Sequence, residues 1–312
     1  MIKTENLTKN FDEIAAVDRL SLEIDQGEVF GFLGPNGAGK TTTVRMLTTL
    51  IGPTDGYANV LGYTVGQEDQ EIRRRVGILT ETPGLYDRLS AARNLMIYAR
   101  LYEVPDPEKQ VERYLRMLGL WQRRDDLAGT FSKGMKQKLA VARALLHEPR
   151  VLFFDEPTAG LDPESAKLVR DFIGELKSEG RTIFICTHNL DEADRLCDRI
   201  AVFNSQLRVL DTPSGLRSRL YGHQVVFHLA QEAEPFREIV STVELVDGVE
   251  AQENKLIVNT DNPEAINPII IRRLVAADVD IQFVGEIRHS LEDIYLQLIR
   301  EDDKAHETHD IS

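Results

Sequence analysis

Residues 34–41 read Gly34-Pro35-Asn36-Gly37-Ala38-Gly39-Lys40-Thr41, a glycine-rich loop with the pattern G-x-x-x-x-G-K-[ST]. An apolar run, 29–33, precedes the loop, and Val44, Leu47 and Ile51 follow it at helical spacing. A buried strand therefore leads into the loop and a helix leads out of it. Such a loop points its backbone N–H groups inward and predicts a cradle for the phosphates of a nucleoside triphosphate.

The loop and the first turn of the helix supply the candidate nucleotide-binding residues. They are Gly34, Asn36, Gly37, Ala38, Gly39, Lys40, Thr41 and Thr42. Lys40 offers a positive charge to the β- and γ-phosphates, so we assign it to binding and to catalysis. The Thr41 hydroxyl is an oxygen ligand of the kind that Mg²⁺ prefers. The loop predicts a nucleoside triphosphatase but does not specify which one.

Composition restricts the class of protein further. The 312 residues carry 37 Lys and Arg against 51 Asp and Glu, a formal net charge of −14, which argues against wholesale nucleic-acid binding. The sequence has no apolar run long enough to cross a membrane, and its first residues lack the apolar core of a signal peptide. We expect a cytoplasmic protein. Cys186 and Cys197 have no C-x-x-C spacing, so we expect both to be packing residues.

The order of apolar segments predicts two domains. Through about residue 217, short β-branched and aromatic runs alternate with helical patterns, which predicts an α/β domain with a mostly parallel central sheet. The predicted strands are 29–33, 76–79, 151–154, 182–187 and 200–203. A helical insert places Leu95, Tyr98, Leu101 and Tyr102 on one face, which we expect to pack in the core. The alternative is that this insert docks a partner protein.

Residues 218–300 predict a small α+β domain of order β-α-β-β-α-β. Its predicted strands are 225–229, 249–252, 255–258 and 279–283, and its predicted helices are 236–246 and 263–276. A last helix is expected from Ser290 to about Arg300, and the acidic tail 301–312 is expected to be disordered.

Two carboxylates and a histidine follow predicted strands. Asp155 and Glu156 end the apolar run 151–154, and the carboxyl ends of strands are where open α/β sheets bind ligands. In a P-loop enzyme Asp155 would help to hold Mg²⁺, and Glu156 would orient or deprotonate the attacking water. His188 follows the strand 182–187 and could bind the γ-phosphate, although a lone histidine is more often structural.

A second phosphate-binding helix end is predicted at residues 131–138. Ser132 is a candidate N-cap, and Gly134 follows in the first turn. Free N–H groups and the helix dipole favour an anion at such an end. One chain therefore carries two candidate phosphate sites.

These motifs together resemble the ATP-binding subunits of ABC transporters. Ser132-Lys133-Gly134-Met135 stands where that family has its Leu-Ser-Gly-Gly-Gln signature, and Asp155-Glu156 is similar to its Walker B. Residues 159–162, which end in Asp162, are similar to its D-loop, and His188 to its switch histidine. Phe11 stands where the family stacks an aromatic ring on adenine. The resemblance covers residues 1 to about 215 and implies ATP and Mg²⁺ as ligands.

The resemblance also implies partners. In the family, two ATP-binding domains meet head to tail, and each ATP lies between the loop of one and the signature of the other. With one loop and one signature, this chain is expected to need a second copy or a paralogue. It is also expected to lie on the cytoplasmic face of the membrane and to drive a separate permease; no nucleic-acid partner is expected.

Two departures from the family pattern concern the site. Glu81 stands where the family has its Q-loop glutamine, and its carboxylate remains a possible ligand of Mg²⁺ or water. Lys133 replaces the first glycine of the signature, and Met135 replaces its glutamine, while Ser132 and Gly134 are kept. We therefore expect the contact with the partner's ATP to survive and the coupling to the permease to be altered.

Residues 290–295 match a recurring end motif of multidrug and antibiotic-type exporter subunits, which favours export. The C-terminal domain would be regulatory, dimer-supporting or a passive packing module. The alternative function is a soluble ABC-type ATPase that acts on nucleic acid or ribosomes. A P-loop kinase is disfavoured by Ser132 and Gly134.

Overall fold

The structure, a computed structural model, describes residues 1–80, 82–287 and 290–295, with backbone alone at residues 220 and 221. The chain forms two compact units, Met1–Thr212 and a second unit that begins at Pro213. A helix, Pro213–Tyr221, spans the expected boundary at residue 217 and belongs to the second unit.

The strands of the first unit form two sheets. They are β1 (Ile2–Phe11), β2 (Ile14–Ile24), β3 (Val29–Leu33), β4 (Asp55–Val60), β5 (Tyr63–Thr64), β6 (Val76–Leu79), β7 (Val151–Asp155), β8 (Thr182–Thr187), β9 (Arg199–Asn204) and β10 (Gln206–Asp211). The central sheet has the order β10-β9-β3-β8-β7-β6 and is parallel except for the β9/β10 pair. The α/β fold with a mostly parallel sheet is therefore confirmed.

A second sheet was not predicted. This sheet has the strand order β2-β1-β4-β5 and is antiparallel, and the pairing of β1 with β2 has three register shifts. Polar residues such as Lys3, Glu5 and Lys9 are spread along β1, so the strand lacks the apolar run by which the buried central strands are recognised. Pairing with neighbours far along the chain, rather than local sequence, makes this segment a strand.

The core between the sheets is rich in phenylalanine. The ring of Phe184 on β8 lies 5.6 Å from Phe30, 5.2 Å from Phe32 and 5.6 Å from Phe153, measured between centroids, and all four side chains are fully buried. Each buried aromatic side chain stabilises the fold by about 2 kcal/mol through its burial alone. This packing fixes the central strands against one another, and their carboxyl ends carry the candidate site.

Helices cover the sheets of the first unit. They are α1 (Lys40–Leu47), α2 (Asp69–Arg73), α3 (Ala91–Leu101), α4 (Pro107–Met117), α5 (Lys133–Leu145), α6 (Pro163–Ser178) and α7 (Leu190–Leu196). Leu95 on α3 is buried as predicted, but Leu101 at the end of the same helix is 70% exposed. The expectation that the whole face packs in the core is wrong at Leu101, since α3 ends there and the chain turns away.

The second unit has the predicted β-α-β-β-α-β order. After α8 (Pro213–Tyr221) its elements are β11 (His223–Leu229), α9 (Arg237–Ser241), β12 (Gly248–Gln252), β13 (Lys255–Thr260), α10 (Pro263–Ala276) and β14 (Ile281–Glu286), and the sheet order is β12-β13-β11-β14. The buried side chains of this unit form a core of their own.

Two predictions in the second unit are wrong in extent. The predicted helix 236–246 is only five residues long because Ser241 and Thr242 bond their hydroxyls to the carbonyls of Glu238 and Ile239, which competes with the helix. The predicted strand 279–283 begins at Ile281 instead, after a turn with Asp278 at φ 59°. Residues 291–295 are helical, with a Ser290–Asp293 capping box at their start. The remainder of the expected last helix and the tail 301–312 lie outside the described residues.

Candidate active site

The glycine-rich loop joins β3 to α1, as its pattern predicts. Gly37 and Gly39 have φ angles of 84° and 97°, which residues with a side chain rarely adopt. A Cβ atom at Gly39 would also lie 2.1 Å from the carbonyl oxygen of Ala16, and one at Gly34 would lie 2.1 Å from the carbonyl oxygen of Phe203. The loop therefore packs directly on the backbone of β2 and β9, which holds its shape.

Lys40 is buried inside this loop. Its ammonium group donates hydrogen bonds to the carbonyl oxygens of Gly34, at 2.7 Å, and Pro35, at 3.1 Å. A buried cation needs such partners, and a polyphosphate would be a stronger one. The side chain is therefore held across the loop, where the phosphates are expected.

The carboxyl end of β7 faces the start of α1. The Thr41 hydroxyl donates to Asp155 Oδ2 at 2.9 Å, and Asp155 is buried. Both side chains present oxygen, which is the ligand chemistry of a hard cation such as Mg²⁺. These two oxygen ligands, next to a phosphate loop, would suit a magnesium ion.

Glu156 and His188 form the neighbouring pair. His188 Nδ1 lies 2.8 Å from Glu156 Oε1, and the Thr187 hydroxyl lies 3.4 Å from Glu156 Oε2. Glu156 has a φ angle of 52°, a strained left-handed conformation, and its amide donates to the carbonyl of Cys186 at 2.9 Å. β7 and β8 are neighbours in the sheet, so the carboxylate and the imidazole meet because consecutive strand ends meet.

A cleft of about 180 Å³ brings most of the predicted residues together. Its lining consists of Ala16, Asn36, Gly37, Ala38, Gly39, Lys40, Thr41, Thr42, Asp155 and Glu156. Ala16 was missed by the sequence analysis because it lies on the unpredicted sheet and carries no chemistry of its own.

Three predicted residues gather at a different place, where α5 and α6 begin. Ser132 caps α5 by accepting from the amide of Met135 at 3.3 Å, and Asp162 caps α6 by accepting from the amide of Ser165 at 2.9 Å. This hydrogen bond lowers the pKa of Asp162. A Cβ atom at Gly134 would lie 2.4 Å from Ser165 Oγ, so the two helix starts touch. None of these three residues lines the cleft.

Among the described residues that were predicted for the site, Phe11, Gly34 and His188 also do not line the cleft. The ring of Phe11 is 48% exposed at the end of β1, with Lys9 Nζ 5.3 Å from its centroid. Glu81, the predicted metal ligand, lies outside the described residues. Cys186 and Cys197 are both buried, and burial raises the pKa of each thiol.

Four polar residues around Glu156 were not singled out from the sequence. They are Gln137, Thr158, Thr187 and Glu192. No motif marks them, since single amides, hydroxyls and carboxylates usually face solvent. Their burial becomes visible only when the strand ends and helices are assembled.

The loop, the buried lysine and the strand-end carboxylates define a P-loop nucleoside triphosphatase. The ABC transporter family model matches residues 17–159. An uncharacterized ABC transporter ATP-binding protein, YhcH of Bacillus subtilis (strain 168), is 34% identical over 302 residues, which cover 96% of each chain. The daunorubicin resistance ATP-binding protein DrrA2 of Streptomyces coeruleorubidus is 34% identical over 304 residues, 95% of this chain and 94% of that protein.

A solved structure adds a likeness in three dimensions. The dimeric, post-hydrolysis state of the ATP-binding cassette MJ0796, bound to ADP and Pi, covers 68% of this chain and 98% of its own, with 25% identity and a TM-score of 0.63. This chain belongs to the ABC transporter ATP-binding proteins. It binds ATP, and its enzymatic activity is ATP hydrolysis coupled to transport. Among the described residues, no helix is long and apolar enough to cross a membrane.

Proposed function

We propose that this chain is the ATP-hydrolysing subunit of a drug exporter and that it works as a dimer on a separate permease. The observation that carries the proposal is the Glu156–His188 contact of 2.8 Å beside the Thr41–Asp155 contact of 2.9 Å. These two pairs bring two carboxylates, an imidazole and a hydroxyl to one end of the phosphate loop. The relation to DrrA2, a daunorubicin resistance protein, supports export.

Each side chain has a defined part in the proposed hydrolysis. Glu156 accepts a proton from the attacking water, which then adds to the γ-phosphorus as ADP leaves. His188 is held through Nδ1, so its other ring nitrogen is left for the γ-phosphate. Lys40 exchanges its loop carbonyls for phosphate oxygens and stabilises their charge. Thr41 and Asp155 would hold Mg²⁺, which neutralises phosphate charge when bound; Glu81 is the remaining proposed ligand.

Ser132, Gly134 and Asp162 serve the second copy in this proposal. Their cluster lies outside the cleft of its own chain, and the start of α5, which the neutral Ser132 hydroxyl caps, favours an anion. The solved relative is dimeric, which supports a dimer of this chain; either a second copy or a paralogue would fit the proposal. Phe11 is exposed and has the flat ring that adenine stacking requires.

The permease is proposed to dock on the helical insert. Ile97 and Leu101 on α3, Met117 on α4, and Leu127 are exposed apolar side chains of this segment. Such a group of exposed apolar residues is typical of protein contact sites. A subunit that binds a permease in this way would be peripheral on the cytoplasmic face of the membrane.

The decisive experiment is Glu156→Gln. Because the amide cannot accept the proton, release of phosphate from MgATP should fall by about a hundredfold or more while ATP binding persists. The variant should also accumulate as an ATP-bound dimer in size-exclusion chromatography. Glu175→Gln, at an exposed position near the other end of α6, is the matched control. Unchanged phosphate release from Glu156→Gln would refute the proposed role.

Co-purification distinguishes the proposed function from the alternative, a soluble ATPase that acts on nucleic acid or ribosomes. The proposal expects a membrane protein to co-purify with the chain from detergent extracts. Strong RNA binding without a membrane partner would favour the alternative.

A further inference from the structure

A buried polar cluster lies directly behind the Glu156–His188 pair. Its centre is Glu192 on α7, which is 2% exposed. Glu192 Oε1 accepts from the Thr158 hydroxyl at 2.9 Å, and its Oε2 lies 3.3 Å from the Thr187 hydroxyl. One carboxylate therefore connects the segment that follows Glu156 with the residue that precedes His188.

Thr187 stands between two carboxylates. Its hydroxyl is 3.3 Å from Glu192 and 3.4 Å from Glu156, and it accepts from the amide of Asn189 at 3.0 Å. A hydroxyl has one proton to donate, so it serves one carboxylate at a time. When Thr187 donates its proton to Glu192, it cannot donate to Glu156 as well.

The segment between Glu156 and Asp162 is held from both sides. Gln137, on the helix that begins at Ser132, donates to the carbonyl of Pro157 at 2.8 Å. Glu192 holds the next residue, Thr158. Since Glu156 is strained at φ 52°, its backbone depends on such external contacts to keep this conformation.

The charges that face Glu192 are Arg170 on α6 and Glu156 at the end of β7. Burial raises the pKa of Glu192, while the two hydroxyls and Arg170 oppose that rise. A buried carboxylate with hydroxyl partners is expensive to maintain and is kept where it fixes a geometry.

We propose that Glu192 is a positioning residue for ATP hydrolysis: by holding Thr158 and Thr187 together, it fixes Glu156 and His188 in their reactive arrangement. The inference rests on the proposed role of Glu156 as the general base. Glu192 itself does not touch the nucleotide cleft, so it acts through Thr187 and through the backbone that carries Glu156.

The test measures MgATP turnover and ATP binding by the full-length chain, with Glu192→Ala, Glu192→Gln and the control Asp191→Ala. Asp191 is the exposed neighbour on the same helix. Glu192→Ala should lower kcat between about tenfold and about a hundredfold at nearly constant KM, since misplacement of a catalytic group affects the chemical step. Glu192→Gln keeps two polar atoms and should recover most of the rate.

Thr187→Val provides the second variant, because it removes the hydroxyl without a large change in volume. It should lower kcat by itself, and Glu192→Ala should then cost less in the Thr187→Val background than in the wild type. Fully additive effects would overturn the inference. So would a loss of ATP binding and thermal stability in proportion to the loss of turnover.

The two proposals fail in different ways. Normal turnover in Glu192→Ala, with Glu156→Gln inactive, would overturn the inference and leave Glu156 as the base. Normal turnover in Glu156→Gln would remove the proposed function and the inference with it.

Discussion

The nucleotide cleft and the cluster at the starts of α5 and α6 differ in how they are closed. In the cleft, Lys40 bonds to its own loop and Thr41 to Asp155, so the cradle is shaped from within one chain. At the cluster, Ser132 and Asp162 accept hydrogen bonds from amides of the helices that they cap, and neither lines the nucleotide cleft. This difference supports the proposal that the cleft encloses the phosphates of one ATP and that the cluster contacts the ATP of a second copy.

The largest effect on the cleft is expected from the substitution Lys40→Met. The change keeps the length of the side chain but removes the charge that meets the phosphates, so ATP binding and turnover should both disappear. Fluorescent ATP titration and phosphate release measure the two effects. Arg45→Met, at an exposed position of the same helix, should leave both unchanged. Wild-type affinity in Lys40→Met would mean that the cleft is not the nucleotide site.

The matching change at the cluster is Ser132→Arg. It should abolish turnover by blocking approach of the other copy's ATP, whereas ATP binding to the intact loop should persist. Loss of both together would indicate misfolding instead.

Mixing the two inactive variants sharpens the comparison. A dimer of one Lys40→Met chain and one Ser132→Arg chain contains one intact loop facing one intact signature. Random pairing should therefore restore roughly a quarter of the wild-type turnover, as a symmetric shared site requires. Each variant alone, at the same total protein concentration, is the control. No recovery in well-folded mixtures would contradict a site shared between chains.

Gly39→Ala tests whether the cleft is held by backbone packing. The added Cβ would strain a φ of 97° and meet the carbonyl of Ala16, so the free energy of unfolding should fall by about 2 kcal/mol. Gly174→Ala, inside α6 with no atom within 4 Å of the new Cβ, should instead raise it by about 0.5 kcal/mol. Chemical denaturation of both variants measures the contrast. Equal effects would show that the loop is not constrained by β2.

The smallest expected effect is a pH dependence of stability at Glu192. Burial raises its pKa above the ordinary 4.5, so over a range upward from pH 4.5 the folded chain retains a proton that the unfolded chain releases. The contribution of this group to stability therefore falls as pH rises through that range. Glu192→Gln, which does not titrate, should lose less unfolding free energy than the wild type as the pH rises from 4.5. Urea unfolding at several pH values gives the difference, and a greater loss in the variant would contradict it.

The sequence predicts the parts of the molecule whose signals are local. The strands Val29–Leu33, Val76–Leu79 and Thr182–Thr187 have the predicted bounds, because each is a continuous apolar run that is buried on both faces. The loop, Asp155 and the N-cap Ser132 were likewise found from short motifs. These features depend on neighbours within a few residues.

What the sequence analysis missed depends on distant neighbours. β1 and β2 become strands through pairing with each other and with β4, and Ala16 enters the cleft only through that sheet. Glu192 lies in a helical stretch with acidic neighbours, a pattern that is typical of a solvent-exposed residue. Its burial follows from the way that α7 packs after β8, which no local pattern encodes.

The left-handed backbone of Glu156 has an evolutionary consequence. A glutamate in this conformation carries roughly 1 kcal/mol of strain, and asparagine or glycine would carry less. Glu156→Asn should therefore be inactive in hydrolysis yet at least as stable as the wild type. With Glu156 as the proposed base, turnover depends on a less stable residue at this position, so a screen for thermostability alone would drift toward chains that no longer hydrolyse ATP.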